Sequence, residues 1–369
     1  MSTRAIGLMS GTSCDGVDAL MIELAGVATP HEPAVLGHAH VPFPATLRAE
    51  LRDPTSLSLR RVAELHFELP RRYADAVRAL PQWSSADVVG MHGQTVWHAP
   101  PSQGPALANT LQLGSSGALA VELGLPVVGD VRAADIARGG EGAPLAPFAH
   151  WFFTPPSHST RLVVNIGGIA NYTRVTRRLD DVRAADIGPG MMITDALARH
   201  VSRGAFDCDR DGELSEDGEI DRAAVDFILD HPFFARGSPR STGREDFGAG
   251  FVAALSMRFG KLTEATLLRS SLFATASAIA IASRDPLLEV QEIVLTGGGA
   301  RHPGLVEMIA ELAHPIPVVV HRSGVFAPEH HEPAAMALIA ARTLARLPSS
   351  LPQVTGAREA AVLGHIHWP

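Results

Sequence analysis

The sequence has almost no lysine and almost no cysteine. Lys261 is the only lysine among 369 residues, and Cys14 and Cys208 are the only cysteines. Two cysteines so far apart provide neither a disulfide framework nor a metal-ligand spacing, so a reducing compartment is expected. The sequence has no Lys/Arg run that would form a local basic patch, and the formal net charge of -8 at pH 7 disfavours a nucleic-acid partner.

Long hydrophobic runs are missing as well. The longest apolar stretch, near residues 272–282, is rich in alanine and shorter than the about 20 residues that span a bilayer. The N-terminus has no charged-then-apolar leader, because glycine and serine interrupt its apolar run. We therefore expect a cytoplasmic protein without a membrane partner, with the composition of an ordinary globular chain: 46% hydrophobic and 19% charged residues.

Short apolar runs followed by glycine recur along the chain. These runs predict strands at 4–9, 17–24, 88–91, 162–166 and 292–295, and the segments between them predict helices at 57–80, 191–201, 222–229, 262–283 and 303–312. The first two strands are predicted to form a hairpin, and the segment 202–244 an irregular insertion with one short helix. Alternating strands and helices predict an α/β fold.

The turn after the first predicted strand places small residues beside carboxylates, in G-L-M-S-G-T-S-C-D-G-V-D at residues 7–18. Glycine lets a ligand approach the backbone, and backbone N–H groups together with hydroxyls can hold an anion. Thr12 and Ser13 could donate to phosphate oxygens, and Asp15 could hold Mg²⁺ through water. An ordinary hairpin turn with local Asp and Ser hydrogen bonds would use the same residues.

Two familiar nucleotide motifs are absent. The sequence has no G-x-x-x-x-G-K-[ST], and no G-x-G-x-x-G follows a predicted strand. The glycine triplet Gly297–Gly299 could instead carry a nucleoside, although a tight strand–helix connection would also explain it. Asp186 ends a predicted strand, where a carboxylate points into the crevice in which α/β proteins bind ligands. Helix capping is the structural alternative for Asp186.

Seven motifs appear in one order along nearly the whole chain. They are G-L-M-S-G-T-S-C-D-G-V-D (7–18), H-G-Q-T-V-W-H (92–98), G-G-E-G-A-P-L-A-P (139–147), N-I-G-G-I-A-N (165–171), D-I-G-P-G (186–190), S-T-G-R-E-D-F (241–247) and L-T-G-G-G-A-R (295–301). In this order they resemble the anhydro-N-acetylmuramic acid kinase family of the sugar kinase/Hsp70/actin superfamily. The resemblance implies a bilobed, ribonuclease H-like α/β fold with two mixed-sheet domains around an ATP cleft. The implied N-terminal lobe is 1–132 plus 346–369, and the C-terminal lobe is 133–345.

The resemblance also implies an activity. The family phosphorylates 1,6-anhydro-N-acetylmuramic acid with ATP and opens the anhydro bridge in the same reaction, giving N-acetylmuramic acid 6-phosphate in peptidoglycan recycling. ATP and Mg²⁺ are thus the expected cofactors and a small-molecule sugar is the expected partner, with a homodimer as one option. A kinase of another amino sugar and a non-catalytic nucleotide-binding sensor are the alternatives. A base at the sugar-facing strand end distinguishes the kinases from the sensor.

Individual roles follow from the same resemblance. The family's catalytic aspartate corresponds to Asp186, and its second acidic contact with the sugar corresponds to Glu332 in E-P-A-A-M-A, a residue that a solvated helix start would also explain. The implied nucleotide-binding residues are Gly11, Thr12, Ser13, Cys14, Asp15, Gly16, Val17, Asp18, Asn165, Gly167, Gly168, Gly297, Gly298 and Gly299, and Asp15 is the implied Mg²⁺ position, through water. The implied sugar-binding residues are His92, Gln94, Thr95, Asn171 and Arg244.

The sequence departs from the family pattern beside Asp186. Ile187 replaces the usual Thr, and Met191 replaces the usual Asn, so two polar groups are lost without removing the base. His302 stands where Asn is usual. Together with His330 and His331 it suggests metal ligands at first sight, but the spacing fits no metal site. We expect a solvated surface for these histidines.

Overall fold

The structure is a computed structural model that describes residues 2–11, 13–104, 106–154, 159–237 and 240–369. Its strands are β1 (Thr3–Ser10), β2 (Gly16–Leu24), β3 (Ala34–Pro42), β4 (Val88–Ala99), β5 (Asn109–Leu113), β6 (Val127–Gly129), β7 (Arg161–Ile166), β8 (Ile169–Val175), β9 (Arg183–Pro189), β10 (Glu292–Thr296), β11 (Val318–Val320) and β12 (His365–His367). Its helices are α1 (Ala45–Arg52), α2 (Leu59–Arg78), α3 (Ser116–Leu123), α4 (Ala133–Ile136), α5 (Ala146–Phe153), α6 (Met192–Val201), α7 (Arg222–Leu229), α8 (Arg244–Phe247), α9 (Ala249–Phe259), α10 (Glu264–Ser283), α11 (Pro303–Ala313), α12 (His331–Leu344) and α13 (Pro352–Thr355). Each predicted strand and helix is present; the helix predicted at 222–229 has those ends, and each of the others has at least one shifted end.

The chain divides into two compact units, each built on its own mixed sheet. The first unit comprises residues 1–156, 323–325 and 329–369, and the second comprises residues 157–322 and 326–328. These limits differ from the lobes predicted at 1–132 plus 346–369 and at 133–345. The reason is that α12 packs on β1 and β4, and α5 packs on α12, so both helices belong to the first unit. The predicted α/β class with two mixed sheets is confirmed.

The first sheet has the strand order β12-β6-β4-β1-β2-β3, with β5 paired to β4. Strand β1 is antiparallel to β2 and parallel to β4, which confirms the predicted hairpin. Helix α2 covers this sheet with buried Leu65, Leu69, Tyr73 and Val77, which recur every fourth residue and therefore share one helix face. Helix α2 packs on β2, β3 and β5, and α12 packs on β1, β2 and β4.

Two glycines allow α12 to pack closely on the first sheet. Gly7 of β1 and Gly90 of β4 are partners in register. A Cβ atom on Gly7 would overlap the backbone carbonyl oxygen of Pro333, and one on Gly90 would overlap that of Met336. The absence of side chains therefore lets the helix backbone approach the strands directly.

The second sheet has the order β11-β10-β7-β8-β9, with β10 parallel to both β7 and β11. Strands β7, β8 and β9 follow one another as antiparallel neighbours. Helix α10 packs against α6, α7 and α11. Of the helices in the described residues, α10 alone is long and apolar enough to cross a membrane. Its mean hydropathy is 1.4 and 61% of that stretch is buried, and a core helix meets the same criterion.

Between α6 and α8 the chain is largely irregular. Its described residues hold the helix α7 and short 3₁₀ turns at Arg210–Gly212 and Pro232–Ala235. This agrees with the prediction of an irregular insertion around one short helix. The segment ends where residues 241–247 lie against β9, which positions them beside Asp186.

Candidate functional site

The turn between β1 and β2, residues 11–15, is called the first turn here. The Cys14 N–H donates to the Gly11 carbonyl at 3.1 Å, and the Ser13 hydroxyl donates to Asp15 Oδ1 at 2.7 Å. Ser13 and Asp15 are exposed whereas Cys14 is buried, so a hydroxyl and a carboxylate face solvent together. Thr12 lies outside the described residues. The local Ser–Asp bond is one that an ordinary hairpin turn also makes.

The glycines on either side of this turn have different surroundings. A Cβ atom on Gly11 would meet only Ser13 Oγ, at 3.7 Å, whereas one on Gly16 would overlap the carbonyl of Val41 on β3. Val17 is fully buried in the core. Of the glycines predicted at this turn, Gly11 is therefore the one with room for a ligand, and Gly16 is required for strand packing.

Asp18 is bound by two imidazoles of the neighbouring strand. His38 Nε2 and His40 Nδ1, both on β3, each lie 3.1 Å from Asp18 Oδ1. The ring of His330 lies 4.8 Å from that of His38. Among the described residues, no group of three His, Cys, Asp or Glu side chains is placed to hold a metal ion. Asp18 is accordingly part of a polar cluster on the sheet, and its contact with a nucleotide stays a prediction.

Gln94 lies beneath the first turn rather than at a surface. It is 1% exposed, and its Oε1 accepts from the Ser10 hydroxyl. Its Nε2 donates to the Gly11 carbonyl at 3.2 Å and points to Cys14 Sγ at 3.6 Å. The structure thus joins the H-G-Q-T-V-W-H segment to the first turn.

His92, on the same strand, is buried and fixed by Arg132, which lies outside the seven motifs. Arg132 donates its Nε and Nη2 to His92 Nε2 at 3.1 and 2.8 Å, and its Nη1 to the Gly142 carbonyl at 2.7 Å. Because arginine only donates, Nε2 is the acceptor, and Nδ1 carries the proton that it donates to the Gly93 carbonyl at 2.7 Å. Burial, and then the charge of Arg132, lowers the pKa of His92 to about 3. The imidazole is therefore neutral.

Glu332 lies in the first turn of α12, in the same unit as His92. Its charge attracts the Arg132 guanidinium, whose pKa burial lowers to about 10. The surroundings of Glu332 are not those of a solvated helix, because nearly all of α12 is buried. The prediction of a solvated surface is wrong for His331, which is 3% exposed, with its ring 5.9 Å from that of His150.

Asp186 of β9 is held by the segment 240–247. Its Oδ2 accepts from the Thr242 N–H at 2.9 Å and from the Ser241 hydroxyl at 3.2 Å. Its backbone N–H donates to the Arg240 carbonyl at 3.0 Å. Burial raises the pKa of Asp186, while the hydrogen bonds from Thr242 and Ser241 oppose that shift. A fixed, half-buried carboxylate with a raised pKa has the properties of a general base.

Replacing Ser241 by Ala should move the acid limb of the activity profile to higher pH. The Ser241 hydroxyl stabilises the ionised Asp186, so its loss raises the pKa of that carboxyl further. A base acts only when deprotonated, and activity should therefore be lost at a higher pH as the solution is acidified. The pH dependence of kcat for the wild type and Ser241→Ala measures the shift, and a limb that does not move would contradict it.

The turn between β7 and β8 is built into the start of α6. The Gly167 carbonyl accepts from the Met191 N–H at 2.8 Å, and the Gly168 carbonyl accepts from the Met192 N–H at 3.1 Å. Neither glycine would meet a close obstacle if it carried a Cβ atom. The turn is half-buried, and the nearest atom to a Cβ at either glycine lies at 3.6 Å.

The glycine triplet after β10 meets the end of β7. A Cβ atom on Gly297 would overlap Asn165 Oδ1, and one on Gly299 would overlap Ile166 Cγ2. Gly297 also has φ +80°, a conformation that favours glycine. Gly298 alone of the three is exposed. The structure therefore brings the triplet next to Asn165, with Gly298 as the position open to a nucleoside.

The prediction of a solvated surface is wrong for His302 as well as for His331. His302 is 5% exposed, and its Nδ1 accepts from the Leu305 N–H at 3.2 Å, which caps α11. Its Nε2 lies 3.2 Å from Asp209 Oδ2. An N-cap acceptor is what the Asn usual at this position would also supply, and the pairing with Asp209 explains the burial of an imidazole.

The remaining predicted sugar-binding residues are distributed over both units. Thr95 of β4 accepts from the Gln112 side chain at 3.3 Å. Asn171 of β8 pairs with Asp186 in the strand register, which places it beside the proposed base. Arg244 is exposed at the start of α8.

Known proteins match the chain from end to end. A model of the family described as anhydro-N-acetylmuramic acid kinase matches residues 3–369. The chain belongs to this family. Anhydro-N-acetylmuramic acid kinases of Bacillus cereus strain AH187 and Salinibacter ruber are 32% and 38% identical to it, over 98% and 99% of this chain and 98% and 96% of theirs. The resemblance drawn from the seven motifs is confirmed.

A solved structure is similar at a lower level. Component A of the (R)-2-hydroxyglutaryl-CoA dehydratase of Acidaminococcus fermentans is 12% identical, with a TM-score of 0.45 over 93% of this chain and 99% of that chain. A likeness of this size says nothing about the activity of this chain.

Proposed function

We propose that the protein transfers the γ-phosphoryl group of ATP to O6 of 1,6-anhydro-N-acetylmuramic acid while water opens the anhydro bridge. The products are N-acetylmuramic acid 6-phosphate and ADP, which places the enzyme in peptidoglycan recycling. Membership of the kinase family supports the activity. The observation that best supports the mechanism is Asp186, whose Oδ2 is held by two donors and whose pKa is raised by burial.

The chemistry assigns the base to Asp186. Water attacks the anomeric carbon as the bond from that carbon to O6 breaks, and Asp186 accepts the proton that the water loses. The released O6 forms a bond with the γ-phosphorus, and the bond from that phosphorus to the β,γ-bridging oxygen breaks. The proton on Asp186 returns to solvent. A non-catalytic sensor has no need for such a base.

The nucleotide is assigned to glycine turns of both units. At Gly11, Gly167, Gly168 and Gly298 a Cβ atom would meet no atom closer than 3.6 Å, so their backbone N–H groups have room to approach phosphate or ribose. Asp15, an exposed carboxylate near Ser13, fits a Mg²⁺ ion that keeps most of its water ligands. Such an ion would neutralise charge on the transferred phosphoryl group.

The sugar is assigned to residues that flank Asp186 and to the polar group around Arg132. Thr95 and Glu332 are the sugar contacts proposed in the first unit. His92 is 3% exposed and both of its ring nitrogens are bonded, to Gly93 and to Arg132, so we propose that it acts by positioning Arg132. Asn171 and Arg244 are those in the second, and the Arg244 guanidinium suits the lactyl carboxylate. A cytoplasmic location and a homodimer stay predictions of the sequence analysis.

A coupled assay in ¹⁸O-water tests this function. With ATP and 1,6-anhydro-N-acetylmuramic acid, we expect one ADP for each sugar phosphorylated, with label at the anomeric hydroxyl. Label in the phosphate would mean hydrolysis of ATP and would contradict the mechanism. Equal turnover of N-acetylglucosamine would favour the other amino-sugar kinase, and ATP binding without turnover of either sugar would favour the sensor.

A further inference from the structure

The end of β1 and the middle of β4 meet directly below the first turn. The two strands are parallel, and Ser10 is the register partner of Gln94. Ser10 is the last residue of β1, so the chain enters the turn at the point where the Gln94 side chain lies. Both residues are buried, with 3% and 1% of their surfaces exposed.

Both the oxygen and the nitrogen of the Gln94 amide bind residues of the first turn or of the strand that leads into it. Its Oε1 accepts from the Ser10 hydroxyl, and its Nε2 donates to the Gly11 carbonyl at 3.2 Å. The same nitrogen lies 3.6 Å from Cys14 Sγ. The backbone of Cys14 has φ +54°, which is the left-handed region. Because a carbonyl only accepts, the contact with Gly11 fixes which end of the amide is the nitrogen.

Only an amide meets both requirements at neutral pH. The site needs an acceptor for the Ser10 hydroxyl and a donor for the Gly11 carbonyl, at the two ends of one planar group. An ionised glutamate would turn an acceptor oxygen toward the Gly11 carbonyl, and methionine would fill the space without either hydrogen bond. With 1% of the residue exposed, the side chain has almost no surface left for a sugar hydroxyl.

We propose that Gln94 is a positioning residue for the phosphates of ATP, acting through Ser10, Gly11 and Cys14, and that it does not contact the sugar. The inference rests on the proposed function and changes the role expected for this residue from the family motif. The H-G-Q-T-V-W-H segment would then serve both substrates. Gln94 binds the first turn through its hydrogen bonds with Ser10 and Gly11. Thr95 is the next residue of the strand, is half-buried, and points to the opposite face of the sheet.

The variant Gln94→Met separates the two roles. We expect its KM for ATP, and its Kd for ATP measured by calorimetry without sugar, to rise about 5- to 20-fold, as expected for the loss of one or two hydrogen bonds. The KM for the anhydro sugar should stay within about twofold. Thr95→Val is the matched control on the same strand, and its larger effect should fall on the sugar KM. A rise confined to the sugar KM, or no change in either constant, would overturn the inference for Gln94.

Gln94→Glu adds a rescue test. A protonated carboxyl can both donate and accept, like the amide, so ATP affinity of Gln94→Glu should recover toward that of the wild type as the pH is lowered. Gln94→Met should show no such recovery. A Gln94→Glu variant whose weakened ATP binding is insensitive to pH would count against the hydrogen-bonding role.

Folding and function are controlled separately. Ser10→Ala removes one of the bonds with little change of volume and should weaken ATP binding in the same direction, by a smaller factor. A fall in Tm together with equal losses of affinity for ATP and sugar would assign Gln94 a general structural role and overturn the proposal. The calorimetry needs no turnover, so it decides the inference even if the wild type fails to phosphorylate the anhydro sugar.

Discussion

Asp186→Asn should reduce kcat by about 10²–10⁴, the usual contribution of a general base, while ATP still binds. The substitution keeps the shape of the side chain and an oxygen for the hydrogen bonds from Thr242 and Ser241. It removes the ability to accept the proton of the attacking water. Turnover is measured by the coupled assay, and calorimetry with ATP shows whether the nucleotide site is intact.

Two further variants serve as a control for Asp186→Asn and as a test of another candidate base. Asp217→Asn changes an exposed aspartate of the same unit and should leave kcat unchanged. Near-normal turnover by Asp186→Asn would move the base role elsewhere, and Glu332→Gln is the next substitution to measure. If both carboxyl variants remained active, the assignment of the base from the family motif would be wrong.

Gly90→Ala should destabilise the protein by at least about 3 kcal/mol or prevent its accumulation as soluble protein. Overpacking of a core usually costs about 1–3 kcal/mol, and here the added methyl group would overlap a backbone carbonyl of α12, at Met336. A backbone atom cannot rotate away as a side chain can, so the helix itself must shift. The denaturant midpoint or Tm measures the loss.

Gly26→Ala is the matched control for Gly90→Ala. No atom lies within 4 Å of a Cβ atom at Gly26, and such a replacement usually leaves stability unchanged or raises it by up to about 1 kcal/mol. An unchanged midpoint for Gly90→Ala would mean that α12 does not lie directly on β4. The division of the chain into its two units would then need revision as well.

Local sequence signals were enough to predict much of the fold. The apolar run of β1, its glycine-rich turn and the return of the chain in β2 predicted the hairpin, because a tight turn fixes which residues pair. Helices were predicted in the segments between the strands, and all of α2 and all but the last residue of α11 lie within the predicted ranges. The prediction that Asp186 ends a strand is wrong, because it lies in the middle of β9, which continues to Pro189.

Contacts between distant residues decided what the sequence could not predict. Arg132 binds His92 from 40 positions away, and Asp209 pairs with His302 from 93 positions away, so no local pattern indicates that these side chains are buried. His331, the first residue of α12, was expected on a solvated surface because the spacing of the histidines fits no metal site. The burial of α12 depends on glycines of β1 and β4 more than two hundred residues earlier.

The close packing of α12 on Gly7 and Gly90 fixes the rotation of the helix about its axis as well as its distance from the sheet. An α-helix has 3.6 residues per turn and rises 1.5 Å per residue, so a slip of one position would turn every side chain by about 100° around the axis. The Pro333 carbonyl packs on β1 and the Met336 carbonyl packs on β4. Two such backbone contacts on one helix oppose both its rotation and its sliding. Glu332 immediately precedes the first of them. The direction in which its carboxylate points is thus set by two residues that have no side chain.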